Sequence, residues 1–323
     1  MRIVVPAGGI GGARFLRGLK ATIKGGAGNN DDESTITVIG NTGDDITLFG
    51  LRICPDLDTV MYTLGDGINE AQGWGRSDET FVVKEELAAY GMQPTWFGLG
   101  DRDVATHIVR SQMMAAGYPL SAVTGALCDR WKPGVQLLPM TDDRVETHVL
   151  VEDGEGRRAI HFQEWWIRHR AALPASEIVL VGAEEAEPAP GVLEEIARAD
   201  IVLLPPSNPV VSIGSILSVP GIRQALNDSV VVGVSPMIGG TAVRGMADAC
   251  LAAINVESTA QAVAEHYGPD LLDGWLVDDV DADAHVKGTE IRSCPLYMSD
   301  PEATAAIARE ALDLALELKR RQT

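Results

Sequence analysis

The sequence predicts an α/β protein: an open, mainly parallel sheet with helices on both faces and a mainly helical insertion. Three observations carry that reading. Short, apolar, β-branched runs recur at residues 3–5, 35–39, 178–181, 201–204 and 230–234, the pattern of strands buried on both faces of a parallel sheet. Helical spacing lies between several of them, as in residues 192–198 ahead of Ile201. The first run also breaks at once into a glycine-rich turn and a helix-like stretch at 14–21, the opening of a Rossmann-like unit.

The elements follow in order. Residues 25–32 are rich in Gly, Asn and Asp and read as a surface loop before the strand at 35–39. Residues 79–90 and 103–116 read as helices joined by 91–101, which makes about 70–130 a helical insertion or cap. Residues 144–151 and 157–162 read as a strand pair turning around Gly154. The runs at 178–181, 201–204 and 230–234 return to the sheet, and the Ala- and Leu-rich residues 301–321 form the last helix. No repeat or low-complexity tract divides the chain, so residues 1–323 read as a single domain.

Composition narrows the function. A hydrophobic content of 46% supplies an ample core, yet no run of about 18 apolar residues offers a membrane span. The chain opens on a strand rather than on a basic and then apolar leader, and Cys54, Cys128, Cys250 and Cys294 are far apart. Reduced thiols in a cytoplasmic protein are the expectation, with no zinc site. A net charge of −20 argues against a nucleic-acid partner.

The candidate chemistry falls just after strand-like runs, where open parallel sheets bind ligands. First comes Gly8, Gly9, Gly11 and Gly12, four glycines in five positions. Backbone without Cβ can approach a phosphate, and a helix N-terminus aims N–H groups at it. Arg14 stands where the dinucleotide fingerprint needs a small residue, and no P-loop motif exists. A second loop, Asn41-Thr42-Gly43-Asp44-Asp45, carries two adjacent carboxylates that read either as a helix N-cap pair or as Mg²⁺ ligands. A third, Pro205-Pro206-Ser207-Asn208-Pro209 with Ser212, offers Asn208 as a turn former or a ligand contact. A fourth, Ser235-Pro236-Met237-Ile238-Gly239-Gly240-Thr241, is followed by Arg244, which either reaches a phosphate or faces solvent. His161 and His169 form no metal pattern and read as packing or surface groups, and Asp278, Asp279, Asp281 and Asp283 read as a solvated acidic loop.

Taken together, the segments Ala7-Gly8-Gly9-Ile10-Gly11-Gly12-Ala13-Arg14, Asn41 to Asp45, Cys54-Pro55-Asp56-Leu57-Asp58-Thr59, Trp74-Gly75 to Glu79-Thr80-Phe81, Pro206-Ser207-Asn208-Pro209 and Ser235 to Gly240 resemble the 2-phospho-L-lactate transferases of coenzyme F420 biosynthesis, the CofD/FbiA family. The resemblance runs in order over nearly the whole chain and is nearest to the actinobacterial phosphoenolpyruvate transferase branch. It implies an Mg²⁺-dependent transferase that moves a phospho-acid unit from a guanosine diphosphate-linked three-carbon acid to the terminal ribityl hydroxyl of the deazaflavin Fo. GMP leaves, and the product is F420-0 or its dehydro form. Enolpyruvyl and lactyl donors both remain open.

The same resemblance implies roles for residues. Asp45 and Lys84 fall at positions associated with Fo, and Asp45, with Asp44, could hold the metal. Gly8, Gly9, Gly11 and Gly12 would hold the diphosphate; Asn208, Ser212, Ser235, Gly239 and Gly240 would contact the nucleotide and phosphate end. Fo needs a flat apolar slot, for which Trp74, Phe81, Tyr90, Trp96 and Phe97 are candidates, although burial preference puts most of them in the core. A homodimer is implied. The rival reading is a nucleotide-sugar-binding regulatory protein of a related family that shares the glycine loop.

Overall fold

In the computed structural model, which describes residues 1–25, 34–154, 156–243, 245–268 and 270–322, the apolar run at the start of the chain forms strand β1 (Arg2–Ala7). The chain passes into α1 (Gly9–Gly25), and β2 (Thr35–Gly40) lies parallel to β1. A hairpin of β3 (Ile46–Leu48) and β4 (Leu51–Ile53) leads into α2 (Pro55–Leu64). The insertion supplies α3 (Val82–Ala89), α4 (Asp101–Ala115) and α5 (Leu120–Trp131) before β5 (Gln136–Pro139) pairs with β2. Next come β6 (Glu146–Asp153), β7 (Gly156–His161), β8 (Ala175–Val181), α6 (Val192–Ala197) and β9 (Ile201–Leu204). Then follow α7 (Ser215–Ser218), α8 (Ile222–Leu226), β10 (Val231–Val234) and a small hairpin of β11 (Met237–Ile238) and β12 (Thr241–Ala242). The chain ends with α9 (Ala247–Ala253), α10 (Ala260–His266), β13 (Gly274–Val277), β14 (Glu290–Ser293) and α11 (Pro301–Gln322).

Seven strands form the central sheet in the order β14-β13-β10-β9-β1-β2-β5, all paired in parallel. Side chains alternate across it. Ile3 and Val5 join the core on one face with Phe15, Leu16, Leu19 and Ile307, while Val4 joins Val202, Leu204 and Trp275 on the other. Burying each such side chain is worth about 1.5–3 kcal/mol, so both faces need helices. Helices α1 and α11 meet closely enough that a Cβ on Gly18 would stand 2.6 Å from the Thr304 carbonyl oxygen. From β1 the chain builds outward through β2 and β5, then restarts at β9 and builds the other way. The carboxyl ends of β1 and β9 therefore flank a topological switch point, where such sheets open a crevice.

The structure corrects three expectations. Residues 178–181 are not in the central sheet: β8 pairs antiparallel with β6, which also pairs with β7, in a separate three-stranded sheet. A short apolar run has the same pattern in either setting. The glycine run is not a loop before a helix at Arg14, because α1 begins at Gly9. Three sheet strands, β5, β13 and β14, have no clear β-branched run; β13 is Gly-Trp-Leu-Val and β14 is the polar edge Glu-Ile-Arg-Ser. Most of the expected loop at 25–32 lies outside the described residues. No helix among the described residues is long and apolar enough to cross a membrane.

Candidate active site

The switch point is built by backbone contact. A Cβ on Gly8 would lie 2.3 Å from Asp56 Oδ2, one on Gly11 would lie 2.3 Å from the Pro206 carbonyl oxygen, and one on Gly12 would lie 2.6 Å from Ser207 Oγ. Three of the four glycines thus let Asp56 and the Pro206–Ser207 loop seat against the first turn of α1. Gly9 alone takes a left-handed φ, +66°, which turns the strand into the helix. The Ser207 hydroxyl donates to the Gly8 carbonyl at 2.7 Å and ties β9 to β1.

Asn41, at the end of β2, joins the next pieces. Its Nδ2 donates to Asp56 Oδ2 (2.9 Å) and to the Val211 carbonyl (3.0 Å), and its Oδ1 accepts from the Gly43 N–H (2.9 Å). This brings Asp44 and Asp56 to one wall of a cavity of about 620 Å³. Asp44 is buried, and its Oδ1 has no hydrogen-bond partner. Burial, with the nearby Asp56 charge, pushes its carboxyl well above the usual range, against opposing interactions with the Thr147 and Asn41 side chains. Burial also raises Asp56, to about 6, against the opposing hydrogen bonds from Asn41 and the Gly9 N–H. Asp44 and Asp56 are the residues on this wall that could hold a cation, two buried carboxyl groups side by side. A hard, oxygen-seeking ion such as Mg²⁺ fits this donor set.

Asp45 is fully buried and does not face this cavity. Its Oδ2 is 3.2 Å from Arg52 Nη2, and Arg52 also lies 3.7 Å from Glu146. Burial pushes Asp45 up to about 7, with Arg52 pulling the other way. His161 Nε2 donates to the Asp45 carbonyl (3.2 Å) and Gln163 Nε2 to the Asp44 carbonyl (3.3 Å). The Asp44–Asp45 turn is therefore braced from behind, and His161 is a brace rather than a mere packing group.

The rest of the cavity wall has two characters. Trp74, Trp96, Phe97, Phe162 and Trp166 give it a broad apolar lining, with Lys84 among them. Trp74, Phe81 and Tyr90 are exposed, Tyr90 at 83%, so the expectation that most aromatics of the insertion are core fails; only Phe97 is buried. Phe81 and Tyr90 flank α3, which buries none of its own residues. The opposite character is ionic. Asp58, Tyr62, Asp103 and His107 line the wall with Arg110 behind them. The Tyr62 hydroxyl donates to Asp103 (2.6 Å), and His107 Nε2 lies 3.2 Å from Asp103. Arg110 Nη1 approaches His107 Nδ1 (3.1 Å) and donates to Asp58 Oδ2 (3.1 Å), while Nη2 bonds Asp58 Oδ1. Asp58, Asp103 and His107 could group around a metal by distance alone. Arg110 already pairs with Asp58, whereas His107 Nε2 faces Asp103 with no hydrogen bond of its own.

A second cavity, about 420 Å³, lies across the glycine turn and includes Arg14, Ser235, Val243 and Tyr297. Both cavities touch Gly11, Pro206 and Asn208. Asn208 is a turn former, as one of its two readings has it: its Oδ1 accepts from the Val210 and Val211 N–H groups, capping a π-helical turn (Pro209–Gly214); the residue also lines both cavities. Ser212 lines the first cavity beside Gly8. Ser235 lines the second, with its hydroxyl bonded to Met237. Gly239 and Gly240 line neither; both have positive φ and turn the β11–β12 hairpin, and the Gly239 N–H is taken by Asp281 (2.9 Å). That corrects the reading of the acidic loop too, since Asp278 is buried and accepts from the Leu296 N–H (2.8 Å). Arg244 lies outside the described residues.

A profile of the 2-phospho-L-lactate transferase CofD family matches residues 3–309. The chain belongs to this family. It is 74% identical to the phosphoenolpyruvate transferase of Thermobifida fusca, over 99% of this chain and 100% of that one. It is 68% identical to the phosphoenolpyruvate transferase of Streptomyces coelicolor, over 99% of each chain. The corresponding Mycolicibacterium smegmatis protein is 57% identical over 98% of this chain and 99% of its own. A crystal structure of a Bacillus halodurans protein superposes with a TM-score of 0.62 over 96% of this chain and 98% of that one. At 17% identity it shares the fold. With CofD membership comes the coarse activity, a transferase of coenzyme F420 biosynthesis.

Sequence reasoning on this CofD chain passed over Asp56, Arg52, Asp103, His107, Arg110 and Trp166. Pro55-Asp56 reads as an ordinary helix start, with Pro at N1 and acids in the first turn. The quoted Cys54 to Thr59 segment held the available signal. His107 and Arg110 sit on α4 with Asp103 at i, i+4 and i, i+7 spacing, one helix face that period alone could have flagged.

Proposed function

We propose that this chain transfers a phosphoenolpyruvyl unit from a guanosine diphosphate-linked donor to the terminal ribityl hydroxyl of Fo, giving dehydro-F420-0 and GMP. The observation that carries the reading is the junction of two cavities at Gly11, Pro206 and Asn208, beside the unpartnered Asp44 Oδ1. The larger, aromatic-walled cavity suits a flat tricycle. The smaller suits the nucleotide, which puts the donor diphosphate over the first turn of α1. The high identity to proteins named phosphoenolpyruvate transferase favours the enolpyruvyl over the lactyl donor.

The hydroxyl oxygen of Fo attacks the phosphorus bonded to the three-carbon acid, its proton passes to a site carboxylate, and the bond from that phosphorus to the GMP oxygen breaks, GMP taking the electron pair. Such transfers depend chiefly on positioning and charge neutralisation. Asp44 and Asp56 would hold Mg²⁺, which supplies charge neutralisation at the diphosphate. Asp45, assigned by resemblance to metal or Fo, acts in this proposal from behind the turn through Arg52. Lys84 contacts Fo. GMP is a good leaving group near neutral pH, so no general acid is required. The reading includes a cytoplasmic homodimer, which light scattering of the purified protein would test.

The test is a purified-protein reaction with Fo, Mg²⁺ and each donor separately, read by mass. Dehydro-F420-0 and GMP from the enolpyruvyl donor is the expected result. Product from the lactyl donor alone would overturn the donor assignment. No product from either, with protein that binds a guanine nucleotide, would overturn the transferase and favour a nucleotide-sensing relative.

A further inference from the structure

Helix α3 brings Lys84 to the wall of the larger cavity, yet none of its residues is buried. Packing alone therefore holds it weakly, and its N-cap, Phe81, has no capping side chain. The N-cap of α4, Gly100, has none either. The two helices exchange caps instead. Asp101, at the start of α4, accepts from the Val82 N–H (3.1 Å), the Val83 N–H (2.9 Å) and the Thr80 hydroxyl (2.6 Å). Glu79, just before α3, accepts from the Arg102 N–H (2.9 Å) and the Asp103 N–H (2.8 Å) at the start of α4. The Asp101 N–H closes the clasp on the Thr80 carbonyl (2.9 Å). A Cβ on Gly100 would stand 2.2 Å from Glu79 Cδ, so glycine at 100 leaves room for the Glu79 carboxylate.

Helix α4 carries Asp103 and His107 into the same cavity. The exchanged caps thus fix Lys84 relative to Asp103 and His107. Neither Glu79 nor Asp101 lines either of the two cavities described above.

We infer that Glu79 and Asp101 are positioning residues for the acceptor: their exchanged caps set the Lys84 helix against α4, and so set the acceptor affinity. The inference rests on the reading that Lys84 contacts the acceptor. Losing one carboxylate loosens α3 without touching the nucleotide cavity. The size of the effect is that of a lost helix cap, about fivefold in equilibrium terms.

The experiment compares Asp101→Ala, Asp101→Asn, Glu79→Gln, Lys84→Ala and the Lys84→Ala/Asp101→Ala double variant in full-length protein. It reads KM for Fo, kcat, and GDP affinity by calorimetry. The expected result is about a fivefold higher KM for Fo in Asp101→Ala, with GDP affinity within about twofold of wild type. Asp101→Asn, which keeps an acceptor oxygen, recovers most of the loss, and Glu79→Gln behaves in the same way. In the Lys84→Ala background, Asp101→Ala adds less than about twofold, because the two act through one group. A raised KM in Lys84→Ala with no change in Asp101→Ala would overturn the inference alone. Full additivity of the two, or an equal loss of GDP affinity, would also overturn it. An unchanged KM in Lys84→Ala would refute the Lys84 reading, and this inference with it.

Discussion

Asp44 and Asp56 face the cavity, share one network through Asn41, and are held above the ordinary carboxylate range by burial. Replacing Asp44 by Asn keeps the shape and removes a charge. Activity is expected to fall by at least about 100-fold, which is about 2.7 kcal/mol of barrier, with a matching loss of Mn²⁺ affinity by electron paramagnetic resonance. Wild-type Mn²⁺ affinity in the variant would contradict the assignment. The pH response follows from the same groups. A carboxylate with a raised folded pKa binds its proton more tightly folded than unfolded, where its pKa is about 3.9. Its stabilisation is complete below that value and is lost as pH rises through the folded values, about 6 for Asp56 and about 7 for Asp45. The metal-free protein should therefore lose Tm from pH 5 to pH 8, and Mg²⁺ should restore more at pH 8 than at pH 5. Equal Mg²⁺ shifts at both would contradict this. At this scale Asp44 is legible in sequence as an acid pair after a strand. His161 is not, because its contact with the Asp45 carbonyl spans a sequence separation of 116.

Helix α1 shows what a glycine run does at the scale of an element. Gly11 is required because the Pro206 carbonyl fills the place of a Cβ. Gly11→Ala is expected to cost about 1–3 kcal/mol through overpacking and to weaken GDP binding about tenfold, read by calorimetry. Gly125→Ala is the control: it lies within α5 with open space at its Cβ, and should be neutral or stabilising by up to about 1 kcal/mol. Wild-type GDP binding in Gly11→Ala would separate this turn from the diphosphate. The run was legible as a glycine-rich turn from strand to helix, but its packing partners were not, since Asp56 and Pro206 reach it only through the fold. The strands divide in the same way. The β-branched runs of β1, β2, β9 and β10 announce themselves, whereas β13 is held in the sheet by its burial around Trp275 and Leu276. The pattern at residues 178–181 is strand-like, and only pairing with β6 decides which sheet it joins.

For the whole molecule, the order of the sheet explains why one site has two cavities. The switch between β1 and β9 opens a crevice, and the first turn of α1 divides it. In the proposed reading donor and acceptor occupy the two cavities together, which predicts transfer in a ternary complex. Initial-rate plots against Fo at several donor concentrations should intersect; parallel lines would indicate a covalent enzyme intermediate and contradict this arrangement. A net charge of −20 opposes an anionic donor, which makes a cation at Asp44 and Asp56 the central claim. Its most direct measurement is anomalous diffraction from crystals grown with Mn²⁺ and GDP. The account predicts a peak in contact with Asp44 and Asp56, next to the diphosphate over Gly11. A peak confined to the Asp58, Asp103 and His107 group, or none beside the diphosphate, would contradict it.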